Sequence, residues 1–343
     1  MPIQHHVDLQ NLNTFHLPAT AEHFAEIFSP EELRDLITEA TQNGQTIRVL
    51  GGGSNILFTQ PAEGVLVRNR IGGICPGEAG AEKVQVHFGA GVLWHEAVMW
   101  AVEHNFGGIE NLALIPGTIG AAPIQNIGAY GVELTDVFHS LEAMHLRTGA
   151  IKMFTHEACR FGYRDSVFKQ EAKGQWCILS VALQLQRCDA QGRHPHMRVE
   201  YGDVKTVLEQ DFGGEVNVRN VAEAVMRIRR SKLPDPAQIG NAGSFFKNPV
   251  IETTQYEALK NTFPALPSYP AANGVKVPAG WLIEQCGWKG FRDGECGVHE
   301  RQALVLVNYG KASGAEILDL SDRIITSVQH RFNIRLEREV NIW

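Results

Sequence analysis

The chain has 343 residues, 44% of them hydrophobic, and a formal net charge of −7. That length supports two or three domains with real cores, and the acidic balance argues against nucleic acid as a partner. The opening MPIQHHVDLQ has no charged segment followed by an apolar core, and no apolar run reaches bilayer length, so a cytoplasmic protein without a membrane partner is expected.

Along the chain, Ser29-Pro30-Glu31-Glu32 reads as a capping-box helix start, and Leu33, Leu36, Ile37 and Ala40 keep one apolar face until Asn43-Gly44. A strand over Thr46 to Leu50 follows, and then "LGGGSNILF", where three glycines meet a second apolar run. Glycines there lay the backbone bare, so that its N–H groups can meet an anion. The order strand, glycines, strand differs from the dinucleotide fold, in which the glycine loop leads directly into a helix.

A second glycine turn lies in "VQVHFGAGVLWHEAVMWAVEHN". The strand Val84, Val86, Phe88 passes Gly89 and Gly91 into a helix carrying Leu93, Ala97, Trp100 and Ala101. The third glycine of G-x-G-x-x-G falls on Trp94, whose indole blocks the required close contact, so packing is the expected role. No phosphate-binding G-x-x-x-x-G-K-[ST] occurs. The stretch "GGIENLALIPGTIGAAPIQNIGAYGVEL", residues 107 to 134, is too long and glycine-rich for a simple connection. Its small residues admit a flat or extended ligand, while Gln125, Asn126 and Tyr130 offer hydrogen bonds.

Residues 139 to 155 and 176 to 187 read as strands, with "FGYRDSVF" between them. From Val221 a helix carries Ala224, Val225 and Ile228 and ends in the cationic "RIRRSK" before "LPDP". The composition then shifts at "GNAGSFFKNP". A helix started by Pro278 through Trp281, Leu282 and Gln285, a strand "ALVLVN", and a long helix through Ile317, Leu320, Ile324, Val328 and Phe332 follow. Six cysteines form no C-x-x-C pair and fourteen histidines are scattered, so buried reduced thiols are expected and no metal site.

Four stretches stand in one order: "LGGGSN", "IPGTIGAAPIQNIGAYG", "FGYRDSVF", and "GNAGSFFKNP" with a late "LEREV". Together, from about Asn13 to Val340, they resemble the UDP-N-acetylenolpyruvoylglucosamine reductases, flavoenzymes of bacterial cell-wall synthesis, in their longer subtype. The resemblance implies an α+β chain: a two-subdomain FAD-binding fold of the vanillyl-alcohol-oxidase type, then a C-terminal α+β substrate-binding domain. The expected division is 1–72, open to completion by about 335–343, then 73–222, then 223–334.

The resemblance also implies noncovalent FAD, since Ser54 stands about where some relatives tether the flavin through a histidine. Gly51, Gly52, Gly53, Ser54 and Asn55 would form the pyrophosphate nest, and Pro116, Gly117, Gly120, Gln125, Asn126, Gly128, Ala129 and Tyr130 would line the rest. NADPH would be the hydride donor and UDP-N-acetylglucosamine enolpyruvate the acceptor, with a monomer as the working form. Hydride addition to an enolpyruvyl ether puts charge on a carbon and its carboxylate, which a guanidinium can grip with both arms, here Arg164. A neutral hydroxyl can protonate so basic a centre, and the family pattern assigns Ser244. No G-x-S-x-G elbow surrounds it. Glu339 in "LEREV" would assist, although Arg338 stands where many relatives have proline. Tyr201, Lys232, Asn248, Tyr269, Lys289 and Gln302 would contact substrate. The alternatives left open are a flavin oxidase of the same superfamily and a noncatalytic nucleotide-sugar binder.

Overall fold

In the computed structural model, which describes residues 3–271 and 273–343, the first helix is Pro30–Gln42. The Ser29 hydroxyl accepts the Glu32 amide at 3.3 Å, and Leu33, Leu36, Ile37 and Ala40 are its buried residues. The Glu32 carboxylate accepts from the Phe28 amide at 2.6 Å, one residue earlier than a capping box requires. The apolar stripe and the cap together place this helix, and both are local signals.

The chain divides into two compact units, one of residues 1–7, 21–52 and 63–231, the other of residues 8–20, 53–62 and 232–343. Among the described residues the first unit contains two large sheets and the two-stranded pair Gly128–Ala129 with Val132–Glu133. One runs in the order Gln4–Asp8, Thr20–Ile27, Ala62–Asn69, Ile47–Leu50, its last two strands parallel with Ile47 opposite Val65. Its core joins Ala25, Ile27, Val65 and Val67 to the buried face of Pro30–Gln42, with Met144, Cys177 and Leu179. The other is ordered Ile151–Thr155, Phe138–His145, Trp176–Arg187, Lys83–Gly89, Ile74–Ala79. Its central strand Trp176–Arg187 is antiparallel to both neighbours. Behind it lies the larger core, built on Val84, Val86, Phe88, Trp94, Leu141 and Leu183. The first unit thus holds two separate hydrophobic cores.

The second unit has a sheet ordered Gly240–Ser244, Val305–Asn308, Cys296–Val298, Arg292–Asp293, and the long helix Gly314–Phe332. That helix buries Ile317, Leu320, Ile324, Val328 and Phe332, the positions its 3.6-residue period marks. The excursion 8–20 is stitched into this unit. The Phe15 carbonyl accepts Nδ2 of Asn308 at 2.8 Å, and the Thr14 hydroxyl donates to the Asn241 carbonyl at 2.7 Å.

These contacts redraw the expected boundaries. The helix Val218–Lys232 is continuous and buries Val218, Val221, Ala222 and Val225 in the first unit's core, so the change-over falls at 231/232 rather than 222/223. Segments 8–20 and 53–62 belong with the second unit. So does the tail, where Asn341–Ile342 pairs in parallel with Ile56–Leu57. Residues 139 to 155 form a hairpin of Phe138–His145 and Ile151–Thr155, because Gly149 at φ +66° turns the chain. The helices Val204–Asp211 and Thr253–Thr262 went unread. One buries only Val204 and Leu208 and the other nothing, so neither writes a stripe.

Among the described residues no helix is long and apolar enough to cross a membrane, and no cluster of His, Cys, Asp or Glu could hold a metal ion. Cys159, Cys177 and Cys296 are buried free thiols, whereas Cys75 is exposed, against expectation. Burial pushes Cys159 and Cys177 up to about 12, which keeps them protonated and inert.

Asn308 is 2% exposed, and its Oδ1 accepts from Gly310 and Ala312 while Nδ2 holds Phe15. Asn308→Ala should lower unfolding stability by about 2–3 kcal/mol in denaturant titration, since buried backbone groups lose their partners.

Candidate active site

The loop 117–131 turns through a short 3-10 helix, Ile119–Gln125, and other parts of the first unit hold it in place. The Gly117 carbonyl accepts the Trp94 amide at 3.0 Å, while Ile119 and Gly120 donate to the Val92 and Ala90 carbonyls at 2.9 and 2.8 Å. A Cβ at Gly91 would lie 2.5 Å from the Arg70 Cα, and one at Gly89 2.2 Å from the Gly72 carbonyl oxygen. The second glycine turn therefore serves packing, as expected. Trp94 is buried there with its indole N–H on the Leu112 carbonyl at 3.0 Å.

The first glycine loop abuts this second loop. A Cβ on Gly52 would come within 2.9 Å of the Gly117 Cα, and one on Gly51 within 2.9 Å of the Thr118 hydroxyl. Gly120 likewise faces the Ala90 methyl at 2.7 Å. Glycine at 52 lets backbone meet backbone, and at 51 and 120 it leaves room for neighbouring side chains. In the second unit Gly53, at φ +64°, lies against the Leu12 carbonyl. Asn55 Nδ2 there donates to the Glu339 carbonyl at 3.3 Å.

The stretch "FGYRDSVF" laces onto the carbonyls of loop 117–131. The Ser166 hydroxyl donates to Ile124 at 2.7 Å, and Asn126 Nδ2 donates to Gly162 at 3.0 Å. Arg164 donates from Nη1 to Asn126 at 3.4 Å and from Nη2 to Gly128, and its Nη1 stands 3.7 Å from Oε1 of Glu133. Its side chain is 18% exposed. Gly128 is where it is because a Cβ would come 2.9 Å from Nη1 of Arg164. Asn126, Tyr130 and Arg164 all have positive φ, at +43°, +48° and +54°. Such conformations cost of order 1–3 kcal/mol each and collect where a site is over-determined. The Asn126 side chain, expected to face a ligand, is engaged by Glu133, Gly162 and the Thr135 amide. It connects the loop to the arginine turn instead.

One residue passed over in the sequence is Arg229. It continues the buried stripe Ala222, Val225 at helical spacing, and an arginine on an apolar stripe was the available signal. Its Nε is buried without an acceptor. Burial holds its pKa below the ordinary value, with the Tyr130 phenol working in the other direction. A half-buried arginine whose Nε is enclosed without an acceptor fits an anion. Nearby His95 is also pushed down, mainly by burial and then by the charges of Arg230 and Arg229. Its Nδ1 accepts the Leu114 amide at 3.2 Å.

In the second unit, Ser244 ends the strand Gly240–Ser244 just past a register shift against Val305–Asn308. Asn241, 2% exposed, makes that irregularity by accepting the Gly243 amide at 2.9 Å while donating to Ile239 and Pro234. Such bulges re-aim a side chain. The next residue, Phe245, accepts the Glu339 amide at 2.8 Å, and Phe246 bridges Arg338, so the structure brings the segments of Ser244 and Glu339 together. Arg338 lies on the other side of the tail. Its Nε donates to the Ser321 hydroxyl at 2.8 Å, and it pairs with Asp322, so it occupies the family's proline position without displacing Glu339.

Of the proposed substrate contacts in this unit, Asn248 accepts the Ala279 amide at 2.9 Å, and Gln302 Oε1 lies 3.2 Å from a Cβ built on Gly280. Both thus meet the start of the helix Ala279–Gln285. Lys289 lies past its other end, paired with Glu284 at 2.9 Å. Tyr269 is exposed on the strand Tyr269–Ala271, and Lys232 is exposed at a helix end. In the first unit Tyr201 is 48% exposed, with its Cβ 3.4 Å from a Cβ built on Gly131.

This arrangement defines a two-unit α+β protein with an FAD-binding fold. A family described as "FAD binding domain" matches residues 21–154, and one described as "UDP-N-acetylenolpyruvoylglucosamine reductase, C-terminal domain" matches residues 235–343. The chain is 46% identical over 343 residues to the UDP-N-acetylenolpyruvoylglucosamine reductase of Amoebophilus asiaticus, covering 100% of this chain and 99% of that one. It is 46% identical to that of Pseudomonas aeruginosa at the same coverage. The crystal structure of the reductase from Thermus caldophilus superposes with a TM-score of 0.66 at 25% identity, covering 100% and 99% of the two chains. The chain belongs to the UDP-N-acetylenolpyruvoylglucosamine reductase family.

Because the folded state holds His95 below its ordinary 6.5, it binds fewer protons than the unfolded chain. The stabilising contribution is complete above pH 6.5 and is lost as pH falls below it. His299, also depressed by burial, acts in the same direction. Melting temperature should therefore drop between pH 7.5 and 5.5, and His95→Gln, which keeps an acceptor but no titrating ring, should drop less.

Proposed function

We propose that the chain reduces UDP-N-acetylglucosamine enolpyruvate to UDP-N-acetylmuramate for peptidoglycan synthesis, with FAD as cofactor and NADPH as the source of electrons. The observation that carries this reading is the Arg164 fork, laced to the carbonyls of loop 117–131, in a chain 46% identical to a named reductase over its full length. The unpaired Nε of half-buried Arg229 and the glycine-only packing of Gly51 and Gly52 fit the anionic part of FAD. Gly53, Ser54 and Asn55 are proposed to complete its nest, and Pro116, Gly117, Gly120, Gln125, Gly128, Ala129 and Tyr130 to line it. Bound FAD supplies hydride-transfer chemistry.

Arg164 is held by two carbonyls, so its planar cation has a set orientation. In the proposed role it neutralises the substrate carboxylate as charge develops there. Lysine would supply charge without the fork. Ser244 is proposed to give its hydroxyl proton to the carbon next to that carboxylate, and Glu339 to polarise the same group. Tyr201, Lys232, Asn248, Tyr269, Lys289 and Gln302 are proposed to bind the nucleotide and sugar. Since the chain is acidic overall, these lysines would be the local cations that a diphosphate requires. The reaction uses water-soluble nucleotides, and the proposal includes a cytoplasmic monomer acting without nucleic acid or membrane.

Mixing the flavin-loaded protein with NADPH should bleach the flavin absorbance, and the enolpyruvyl nucleotide should restore it. Ser244→Ala should leave the first step near its parent rate and slow the second by about 10²-fold or more. Equal slowing of both would remove Ser244 from its role, and rapid recolouring by air alone would favour an oxidase.

Gly128→Ala would push the guanidinium of Arg164 from its carbonyls. Turnover of the enolpyruvyl substrate should fall by about 10²-fold per flavin bound, with flavin absorbance measured alongside because Gly128 is also proposed to line the cofactor. A variant of parental activity would remove the Arg164 fork from the mechanism.

A further inference from the structure

Two buried polar residues stand side by side in the short turn Glu110–Leu112, outside the roles proposed above. Glu110 is 2% exposed and Asn111 1%. Glu110 accepts the Gly108 amide at 2.6 Å and meets Nε2 of His194 at 2.8 Å. The other nitrogen of His194 accepts the His196 amide at 3.3 Å, so Nε2 carries the proton directed at Glu110. A side chain at Gly107 would collide with the same imidazole.

Asn111 reaches two different segments with one amide nitrogen. Nδ2 donates to the Tyr130 carbonyl at 3.0 Å and to the Arg198 carbonyl at 2.7 Å. Turning the amide over would set oxygen against two carbonyls, so the orientation is determined. Its Oδ1 is buried and has no partner. An unmet acceptor in the interior is costly, and its retention is explained by the need for both donors.

The same two segments meet twice more. Arg198 donates to the Gly131 carbonyl at 2.5 Å and pairs with Asp136 at 3.6 Å. The Tyr201 Cβ lies 3.4 Å from a Cβ built on Gly131. Between the end of the strand Trp176–Arg187 and the helix Val204–Asp211 the chain forms no regular element; backbone bonds of Cys188 to Asn105 and of Val218 to Gly192 hold its first part, and the side-chain bonds of Asn111 and Arg198 hold its later part.

We propose that Asn111 is a positioning residue that couples the cofactor loop to the segment 188–203: by holding Tyr130 and Arg198 together it carries the order of the FAD-facing turn to Tyr201. Glu110 and His194 anchor the root of that segment, and Asn111 sets its tip. The proposal deepens the flavoenzyme reading and rests on it for the part that FAD and Tyr201 play. Serine at 111 keeps one donor, leucine keeps the volume with none, and aspartate keeps the shape with acceptors only.

The test is amide hydrogen exchange of residues 196–203, with and without FAD, in the parent and in Asn111→Leu. FAD should slow exchange there in the parent. In Asn111→Leu, exchange over 196–203 should be roughly tenfold faster with FAD absent and should no longer respond to FAD, while flavin absorbance shows binding retained. KM for the enolpyruvyl nucleotide should rise about tenfold with NADPH bleaching unchanged, with Asn111→Ser raising it less and Asn111→Asp at least as much. Unchanged exchange at 196–203 in Asn111→Leu, or a rise spread evenly over the whole unit, overturns the proposal. Should that variant not fold, the parent decides: exchange at 196–203 indifferent to FAD overturns the coupling, and slowed exchange supports it. A parent that takes up no flavin overturns the functional reading instead, and the FAD-free comparison of parent and Asn111→Leu still decides whether Asn111 holds the segment.

Discussion

The first unit depends on carbonyls of loop 117–131, which has only the short 3-10 helix Ile119–Gln125 of its own, being gripped from outside. Ser166, Arg164 and Asn111 reach Ile124, Asn126, Gly128 and Tyr130 in turn, while the turn at 90–94 takes the other end. Each grip is a hydrogen bond worth about 0.5–1.5 kcal/mol net, or more where the donor is charged. Their joint effect is to convert flexible backbone into a surface of fixed relief. Fixed relief is what a bound cofactor and a developing charge both need.

The second unit solves a related problem with its own chain. Strand Gly240–Ser244 breaks register at Asn241, and the tail comes back to Phe245 and Phe246, so the backbone of Glu339 and that of Ser244 belong to one hydrogen-bonded patch. Asn13, Asn241 and Asn308, each 2% exposed, recur at the points where an irregular segment must be held. A primary amide has donors and an acceptor together, and so can satisfy a turn from inside the core. Charged groups would have raised the cost of burial.

Arg229 shows the opposite balance. Its burial lowers the stability of its charged form, and its Nε has no acceptor of its own. A purely structural core would replace such a residue with an apolar one at little loss. Its persistence on an otherwise apolar helix face accords with an anionic cofactor as the missing partner. The depressed pKa of His95 belongs to the same cationic neighbourhood.

Local chemistry in the sequence was enough for the cap and stripe of Pro30–Gln42, the stripe of Gly314–Phe332, and the strand Trp176–Arg187. Those signals act over a few residues and survive any tertiary arrangement. The order of motifs likewise carried the family, and the roles proposed for Arg164, Ser244 and Glu339 rest on it. Only the tertiary structure decided that Gly52 has another backbone against it and Gly51 the side chains of Thr118 and Ala121, that the Asn126 side chain bonds to the arginine turn, and that segments 8–20 and 53–62 belong with the C-terminal unit. Each of these depends on atoms far apart in the chain coming within about 3 Å. No window of sequence contains both partners, and so none could show which of a residue's hydrogen bonds the fold itself would claim.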